Sequence, residues 1–339
     1  MSLARGFRTA TVEEFPVIDV GPYLAGAPGA LEATAGEIAR AMESLGFMMF
    51  RNTGVPQPVV EAAFDASRRF HALPDAERMK VAVDRNQRGY IAMGGTLNEY
   101  TPVGSSSGLR KDASEVMVVW RERAPDDPKV RAGAPLCAVN RWPAESVVPG
   151  YRAAILAFLD VTMALGYRML PAFACALGMP ADHFDGFFRD PTLVMRLVRY
   201  PAVGEIRTDQ FGSNPHTDSS FLTFLPQADV PGLQIQTPAG EWVDQPFVPG
   251  AFVVNSGNML KRFSNDRFKA TPHRVTTAVE RDRHSIACFF SPDLDDVVAP
   301  VASCVGPDNP ARYEPVVFGD WFTTFLAGSY SHMRDRTAA

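Results

Sequence analysis

Short apolar stretches alternate with amphipathic ones in the first third of the chain. Continuous apolar runs predict strands, whereas apolar residues at intervals of three and four predict helices. The predicted elements are a strand at 15–20 (FPVIDV), a helix at 31–46, a strand and turn at 47–56, and a helix at 57–73. The pattern therefore predicts an N-terminal region of mixed helix and strand over about 15–120.

The longest helical pattern covers residues 150–178, and Pro171 within it is expected to kink or split the helix. Its apolar residues cover more than one narrow stripe, which predicts a scaffold helix packed against a sheet. A second long segment, 89–110, is rich in Gly, Ser and Thr. It predicts either a surface loop or a mobile lid that contacts a substrate.

The pattern changes from about residue 191, where short strand-like runs are separated by turn residues. The runs are LVMRLVRYP, FLTFLPQ, GLQIQT, AFVVNSG, RVTTAV and RHSIACFF. This spacing predicts an antiparallel barrel or sandwich, of which the jelly roll is one form. Strands and helices do not alternate regularly, so a doubly wound sheet is not expected. We expect one domain over 1–339, mainly β with flanking helices, whose core lies at 190–300.

Composition excludes several classes of function. Of the 339 residues, 46% are apolar and 21% are charged, which is ordinary for a globular protein. The net charge is -5 and no block of Lys and Arg occurs, so we expect no nucleic-acid partner. The four cysteines form no CxxC pair, and no run reaches the ~18 apolar residues of a membrane helix. Since the N-terminus also lacks a signal-peptide pattern, we expect a cytoplasmic protein without a membrane partner.

Candidate metal ligands open the strand-like run in NPHTDSSFLTF. His216 and Asp218 stand two residues apart, and His273, in KATPHRVTTAV, begins another strand-like run of the same β-rich half. Two histidines and one carboxylate on one face of a metal leave positions open, as in non-haem Fe(II) oxygenases. The same three groups could also hold zinc with a bound water. The triad by itself therefore leaves the metal undecided.

A candidate anion receptor follows in RHSIACFF. Side chains alternate along a strand, so Arg283 and Ser285 share a face. A guanidinium fork beside a hydroxyl suits the distal carboxylate of a dicarboxylate keto acid whose other end chelates the metal. In MRLVRYP the same alternation aligns Arg196 with Tyr200, whose hydroxyl could reach such a cosubstrate. Arg196 could meet a second anionic group or form a structural ion pair.

The order of these motifs resembles the isopenicillin N synthase-like family of 2-oxoglutarate/Fe(II) oxygenases. The motifs are FPVIDV, GF…NTGVP, FHALP, RGY, RYP, HTD…LTFL, GLQI, PHRV and RHS…FF, over about residues 15 to 325. The most specific part is HTD…PHRV…RHS. Two positions depart from the common pattern. Val198 stands where many members have Asn, and Asn258 stands where many have Asp.

The resemblance implies a double-stranded β-helix (jelly roll) core and a role for each candidate. His216, Asp218 and His273 are expected to bind iron, and Arg283 with Ser285 to hold the 2-oxoglutarate C5 carboxylate, with Tyr200 nearby. The cofactors implied are Fe(II), 2-oxoglutarate and O2. The reaction implied is hydroxylation of an unactivated C–H bond, or desaturation or cyclisation by the same chemistry.

The substrate is expected to be a small molecule. Arg196, Phe221, Leu233 and Phe289 are candidate substrate residues, the apolar three as a dry wall of the site. The loop 89–110 and the segment 318–330 are expected to contact it. Three alternatives remain: a same-fold Fe(II) oxidase that does not consume 2-oxoglutarate, a zinc hydrolase, and a non-enzymatic binding module.

Overall fold

A computed structural model describes residues 7–95, 110–204, 209–330 and 332–333. The helices in these ranges are α1 (Gly21–Leu24), α2 (Ala30–Ser44), α3 (Gln57–His71), α4 (Asp75–Arg78), α5 (Pro128–Arg131), α6 (Tyr151–Ala176), α7 (Asn258–Phe263) and α8 (Phe318–Ser329). Short 3₁₀ turns lie at Met79–Val81, Asp185–Phe187 and Ala302–Cys304. The part of the 89–110 loop at 96–109, expected to be a surface loop or lid, lies outside the described residues.

The strands are β1 (Val17–Asp19), β2 (Phe47–Arg51), β3 (Gly89–Ile91), β4 (Glu115–Trp120), β5 (Thr192–Tyr200), β6 (Ser213–His216), β7 (Leu222–Pro226), β8 (Leu233–Gln236), β9 (Trp242–Asp244), β10 (Phe252–Ser256), β11 (His273–Val275), β12 (Arg283–Ser291), β13 (Val297–Val298) and β14 (Val316–Val317). They form a large sheet in the order β1-β2-β10-β7-β12-β5-β4-β3 and a smaller one in the order β6-β11-β8-β9. Apart from the parallel β1–β2 pair, neighbours in these two sheets are antiparallel. The expected mainly β, jelly-roll class with flanking helices is confirmed.

The N-terminal region and the β-rich half share one sheet. Strands β1 and β2 lie at one end of the large sheet beside β10, and β3 and β4 lie at the other end beside β5. The segment 15–120, expected as a mixed region, thus supplies both ends of the sheet whose middle comes from 190–300. Long-range strand pairing of this kind leaves no local signal in a sequence pattern.

Both faces of the central strands are covered. On β5, Leu193, Met195 and Leu197 are fully buried. Alternate positions on the same strand face the space between the two sheets, where two cavities lie. A side chain's position along β5 therefore decides which cavity it reaches.

The long helix α6 covers the outer face of the large sheet. It packs against α2, α3 and β12, and ring atoms of Phe290 lie 3.1 Å from where a Cβ on Gly166 would sit. By length and composition alone α6 could cross a membrane, with a mean hydropathy of 1.5 over 18 residues, a property that core helices share. The expected helix is present, but Pro171 does not split it. Proline removes one backbone hydrogen bond, and the packing on both sides holds the helix together.

A buried carboxylate joins three elements at the β3 end of the sheet. Glu115 on β4 is 3% exposed, and its oxygens lie 2.6 Å from Arg78 Nη1 and 2.5 Å from Arg199 Nη1. Tyr90 donates its hydroxyl to the same carboxylate. Burial raises the pKa of Glu115, but the hydrogen bonds from Tyr90 and Arg199 outweigh it, so the net pKa is lowered. The charged carboxylate thus ties α4 and β3 to β5.

We predict that Glu115→Leu destabilises the fold by about 3 kcal/mol, because it leaves buried guanidinium groups without their partner. A carboxyl group whose pKa is lowered on folding stabilises the folded state at every pH above its unfolded pKa, about 4.3. This stabilisation is lost as the pH falls through the pKa of the group in the folded state. Urea unfolding should therefore show a full difference between variant and wild type at pH 7 that shrinks in acid.

Asp65→Asn is the matched control, because the Asp65–Arg69 pair joins two side chains that are 57% and 42% exposed. Its effect should stay below about 0.5 kcal/mol. Equal effects of the two substitutions would contradict a special role for the Glu115 network.

Candidate metal centre and adjoining cavities

Strand pairing in the smaller sheet brings the two histidines together. His216 is the last residue of β6 and His273 the first of β11, and the two are paired partners in the antiparallel register. Their ring centroids lie 4.3 Å apart. Asp218 follows β6 by two residues, in the connection to β7. One strand pair therefore brings His273 to the other two residues, from which it lies far apart in the sequence.

The ligand atoms of the triad converge on a common point. One ligand atom from each of His216, Asp218 and His273 can be chosen so that all three lie within 4.8 Å of one another. Asp218 Oδ1 lies 3.7 Å from His216 Nε2 and 3.5 Å from His273 Nε2. In the ranges that the structure describes, this is the one group of three or more such residues that could hold a metal ion.

Backbone carbonyls fix the orientation of both imidazoles. His216 Nδ1 lies 2.7 Å from the Asn214 carbonyl oxygen, and His273 Nδ1 lies 3.1 Å from that of Thr271. A carbonyl can only accept, so each Nδ1 carries the proton and donates it. Each Nε2 then presents a lone pair to the common point, which is the tautomer that a metal requires.

The carboxylate of Asp218 is held by its other oxygen. Thr223 donates its hydroxyl to Asp218 Oδ2 at 2.6 Å, and Asn255 donates its amide to the same atom at 2.7 Å. The backbone N–H of Asn258 also donates to the Asp218 carbonyl at 2.7 Å. Oδ1 is thereby directed toward the histidines, so the ligand set is oriented by its surroundings.

The protonation states follow from burial and mutual contact. Burial, and to a smaller extent neighbouring His273, lowers the pKa of His216 to about 4. Burial would raise the pKa of Asp218, but His273 holds it well below its usual value. Burial opposes charge on His273 as well, but Asp218 raises its pKa. A divalent cation would bind at the Nε2 lone pairs and compete with protonation of His273.

One cavity runs from the triad to the start of β12. Arg283 and Ser285 are each 4% exposed and line it together, as alternation along the strand predicts. Arg283 Nε donates to the Val230 carbonyl at 3.1 Å, and its guanidinium carbon lies 5.0 Å from the centre of the Tyr200 ring. We call this space, which also contains Val198 and Leu233, the inner cavity.

A second cavity opens on the other side of the triad, and we call it the outer cavity. It has about 750 Å³ of empty space, which includes solvent at its mouth. His216 and Asp218 line it together with residues of β4, β5, β12 and the C-terminal helix α8. Its aromatic residues are Trp120, Phe289, Phe322, Phe325 and Tyr330. The segment expected at 318–330 therefore lines a cavity beside the triad.

The four candidate substrate residues have different positions. Arg196 and Phe289 line both cavities, beside the triad. Leu233 lines the inner cavity and not the outer one, since β8 belongs to the smaller sheet and lies behind the histidines. The assignment of Leu233 to a substrate wall therefore stays a prediction.

Phe221 lies in neither cavity and corrects the sequence expectation. It is fully buried against Phe184 and Phe188, at ring-centroid distances of 4.9 and 5.1 Å. Phe221 precedes the first residue of β7, so alternation along β7 does not apply to it. The cavity-facing residues of that strand are Thr223 and Leu225.

Sequence reasoning missed several residues of the site. Thr223 and Asn255 were not singled out, although Thr223 lies within HTDSSFLT and Asn255 begins NSGN. Trp120 was also missed, because its position depends on the pairing of β4 with β5. The Asp-to-Asn departure at Asn258 leaves a contact in place, since its amide donates to Thr217 Oγ1 at 3.3 Å.

The donor set fits ferrous iron. Two imidazole nitrogens and one carboxylate oxygen point inward from one side, and two cavities meet on the other. Three ligands on one face with open positions opposite define the facial arrangement of non-haem Fe(II) oxygenases. The fold and the site together define a jelly-roll oxygenase of this class.

Comparisons with known proteins identify the family. The family model of the 2OG-Fe(II) oxygenase superfamily matches residues 191–292, and that of the non-haem dioxygenase in morphine synthesis N-terminal matches 15–145. A probable iron/ascorbate oxidoreductase of Dictyostelium discoideum is 31% identical over 84% of this chain and 83% of its own. A 2-oxoglutarate-Fe(II) type oxidoreductase of Emericella nidulans is 30% identical over 96% and 91%.

A solved structure agrees with these relatives. A full-length Neurospora crassa protein, crystallised in complex with alpha-KG, superposes with a TM-score of 0.80 at 28% identity, over 92% of this chain and 96% of that one. The chain belongs to the 2OG-Fe(II) oxygenase superfamily and is an oxidoreductase. The resemblance drawn from the motifs is thereby confirmed.

We predict that Asn255→Ala and Thr223→Val each weaken metal binding by about 10- to 100-fold, because Asp218 loses a donor that orients it. Titration of the metal-free protein with Co(II), followed by calorimetry, measures the affinity directly. The fold should be retained, since neither substitution removes an apolar group from the core.

Asn258→Ala, at the first residue of α7, is the nearby control. Its side chain contacts Thr217 and not the carboxylate, and its backbone donor to Asp218 remains. Co(II) affinity should change less than about threefold in this variant. If the Co(II) affinity fell as far as in Asn255→Ala, a general loosening of the structure around Asp218 would explain both results.

Proposed function

We propose that His216 Nε2, Asp218 Oδ1 and His273 Nε2 hold Fe(II) and that the inner cavity holds 2-oxoglutarate. The observation that carries the proposal is the meeting of two cavities at the triad, one of which contains the buried Arg283. A metal at this point would be open to one ligand from each of the two cavities. The arrangement supports a dioxygenase that oxidises a C–H bond of a small molecule.

Arg283 is proposed to bind the distal carboxylate of 2-oxoglutarate, and Ser285 to donate a hydroxyl to it. A guanidinium can bind a carboxylate with two parallel hydrogen bonds. Its Nε donates to the Val230 carbonyl, which fixes the orientation of the guanidinium in the wall of the cavity. Tyr200 lies beneath the guanidinium and keeps it flat against the wall.

Gly212 supports the position of Tyr200. A Cβ on Gly212 would lie 2.6 Å from the Tyr200 ring, closer than real Cβ atoms approach. Val198, where many relatives have Asn, contributes an apolar wall to the same cavity. The proposed cosubstrate site thus has Arg283 and Ser285 at one end of the inner cavity and the metal at the other.

The residues of the chain place the reactants and exclude water. When bound, the iron supplies oxidative decarboxylation of 2-oxoglutarate by O2, giving succinate and CO2, and with it the oxidation of the substrate. Asp218 and the histidines contribute a rigid ligand face, and the aromatic side chains of the outer cavity form an apolar enclosure. Hydroxylation is the simplest outcome, and desaturation or cyclisation requires only a different placement of the substrate.

The alternatives differ in what they leave unexplained. A zinc hydrolase would use the triad but not the buried Arg283 and Ser285. A same-fold oxidase that does not consume 2-oxoglutarate would need the iron but would release no succinate. A binding module would need no open metal face.

We also propose a cytoplasmic location and a small-molecule substrate, with no nucleic-acid or membrane partner. The four cysteines are free, as expected in a reducing compartment. They are Cys137, Cys175, Cys288 and Cys304.

We predict that Fe(II) and 2-oxoglutarate, added without oxygen, produce a weak visible charge-transfer band. His216→Ala should abolish the band because it removes a metal ligand. Arg283→Met should raise the Kd for 2-oxoglutarate by about 10-fold or more, since it removes a charge-assisted hydrogen-bond pair. Titration of the band measures both effects, and succinate release in air measures turnover.

Arg281→Met provides the matched control, because Arg281 is 64% exposed and pairs with Asp229 at the surface. It should leave the Kd for 2-oxoglutarate unchanged. Absence of the band in the wild-type protein, together with tight retention of zinc, would reject the dioxygenase and favour the hydrolase. A band without succinate release on any substrate would favour the oxidase.

A further inference from the structure

An arginine stands at the junction of the two cavities. We propose that the outer cavity takes a small organic acid whose anionic group pairs with Arg196 and whose apolar or aromatic body lies against Trp120 and Phe322. The proposal rests on the proposed function, because the outer cavity is then the substrate site beside the iron. It adds the chemical class of the substrate.

The two central strands define where the junction lies. On β5, Thr192 and Val194 face the outer cavity, Val198 and Tyr200 face the inner one, and Arg196 lines both. The neighbouring strand β12 shows the same division. Ser291 lines the outer cavity, Phe289 lines both cavities, and the inner cavity is lined by Ala287, Ser285 and Arg283. In the β5–β12 register Arg196 pairs with Ala287, and Arg283 pairs with Tyr200 four residues further along β5. The two arginines therefore lie at different depths.

Arg196 has no carboxylate partner among the residues that the structure describes. Its Nε is buried and finds no hydrogen-bond acceptor there, and its guanidinium carbon lies 5.9 Å from the centre of the Tyr330 ring. By contrast, Arg199 on the same strand is paired with Glu115 and Asp282. A guanidinium stays charged in proteins, so Arg196 carries a positive charge into the cavity without a direct ion pair to a carboxylate of the described residues.

The remaining lining favours an anion at this point. Asp218 is the one acidic residue among the described residues of the outer cavity, and it faces the metal. A charge held away from water is costly unless it is paired and hydrogen-bonded. A ligand carboxylate would supply both, whereas a cationic group would meet the charge of Arg196 and of the metal.

The aromatic wall of the outer cavity is fixed by its contacts. Trp120 donates its indole N–H to the Gln87 carbonyl at 2.8 Å, and the guanidinium of Arg88 lies 4.6 Å from the centre of its ring. Phe322 packs against Trp120 at a centroid distance of 5.9 Å and is nearly parallel to Phe325. Such a wall suits a flat or branched apolar body, with the anionic group as its single strong polar anchor.

Calorimetric titration tests the proposal without turnover. The protein is loaded with Mn(II), a redox-inert substitute, and with saturating 2-oxoglutarate, so that acids cannot bind at Arg283. The ligands are phenylacetate, 3-phenylpropanoate, 4-phenylbutanoate and 5-phenylpentanoate, each compared with its neutral amide. At least one acid should bind about 10-fold or more tightly than its amide, and Arg196→Met should remove that preference.

Two further variants separate the possible roles. Arg196→Lys keeps the charge and should retain part of the preference. The Kd for 2-oxoglutarate should change less than about threefold in Arg196→Met, whereas Arg283→Met weakens it strongly. If Arg196→Met weakened 2-oxoglutarate as much as Arg283→Met does, Arg196 would belong to the cosubstrate site and the proposal would be overturned.

The remaining outcomes are also decisive. No preference for any acid over its amide, or a preference that survives Arg196→Met, would overturn the inference while leaving the dioxygenase intact. Failure of wild-type protein to bind 2-oxoglutarate in the presence of Mn(II) would instead reject the proposed function itself.

Discussion

The antiparallel pairing of β6 with β11 is the constraint on which the site depends. It sets His216 directly opposite His273, so that one hydrogen-bonded register decides whether two metal ligands meet. Asp218 completes the set from the adjoining turn, with one oxygen held by Thr223 and Asn255 and the other directed inward. A shift of one residue in this register would turn one histidine to the opposite face of the sheet and leave no metal site.

The division between the cavities follows from the same period of two along the larger sheet. Every second residue of β5 and of β12 faces the cavities. Along each strand these residues line first the outer cavity, then the region beside the triad, and then the inner cavity. The proposed cosubstrate and substrate sites are therefore consecutive stretches of the same strands. Their relative position is fixed by strand geometry, which is stiffer than any loop connection.

Local signals in the sequence were sufficient to single out the candidate metal ligands and the candidate anion receptor. HTD, PHR and RHS each stand at a strand end or along a strand, where alternation determines the direction of the side chain. Thr223, Asn255 and Trp120 could not be found in this way, because their roles depend on which distant strands pair. Phe221 was misplaced because its apolar character alone did not show that it packs against Phe184 and Phe188. The helix containing Pro171 remained whole because tertiary packing outweighs the loss of one hydrogen bond.

The contrast among three arginines shows how the fold assigns function to charge. Arg199 lies on the face of β5 that is turned away from the cavities, and two carboxylates of the protein neutralise it. Arg283 lies at the far end of the inner cavity, held by a backbone carbonyl and beside an aromatic ring. Arg196 lies at the level of Ala287, four residues along β5 from the position paired with Arg283, with aromatic neighbours but no carboxylate partner among the described residues. Arg283 and Arg196 instead line the cavities that meet at the triad, and this position is what supports the ligand-binding roles proposed for them.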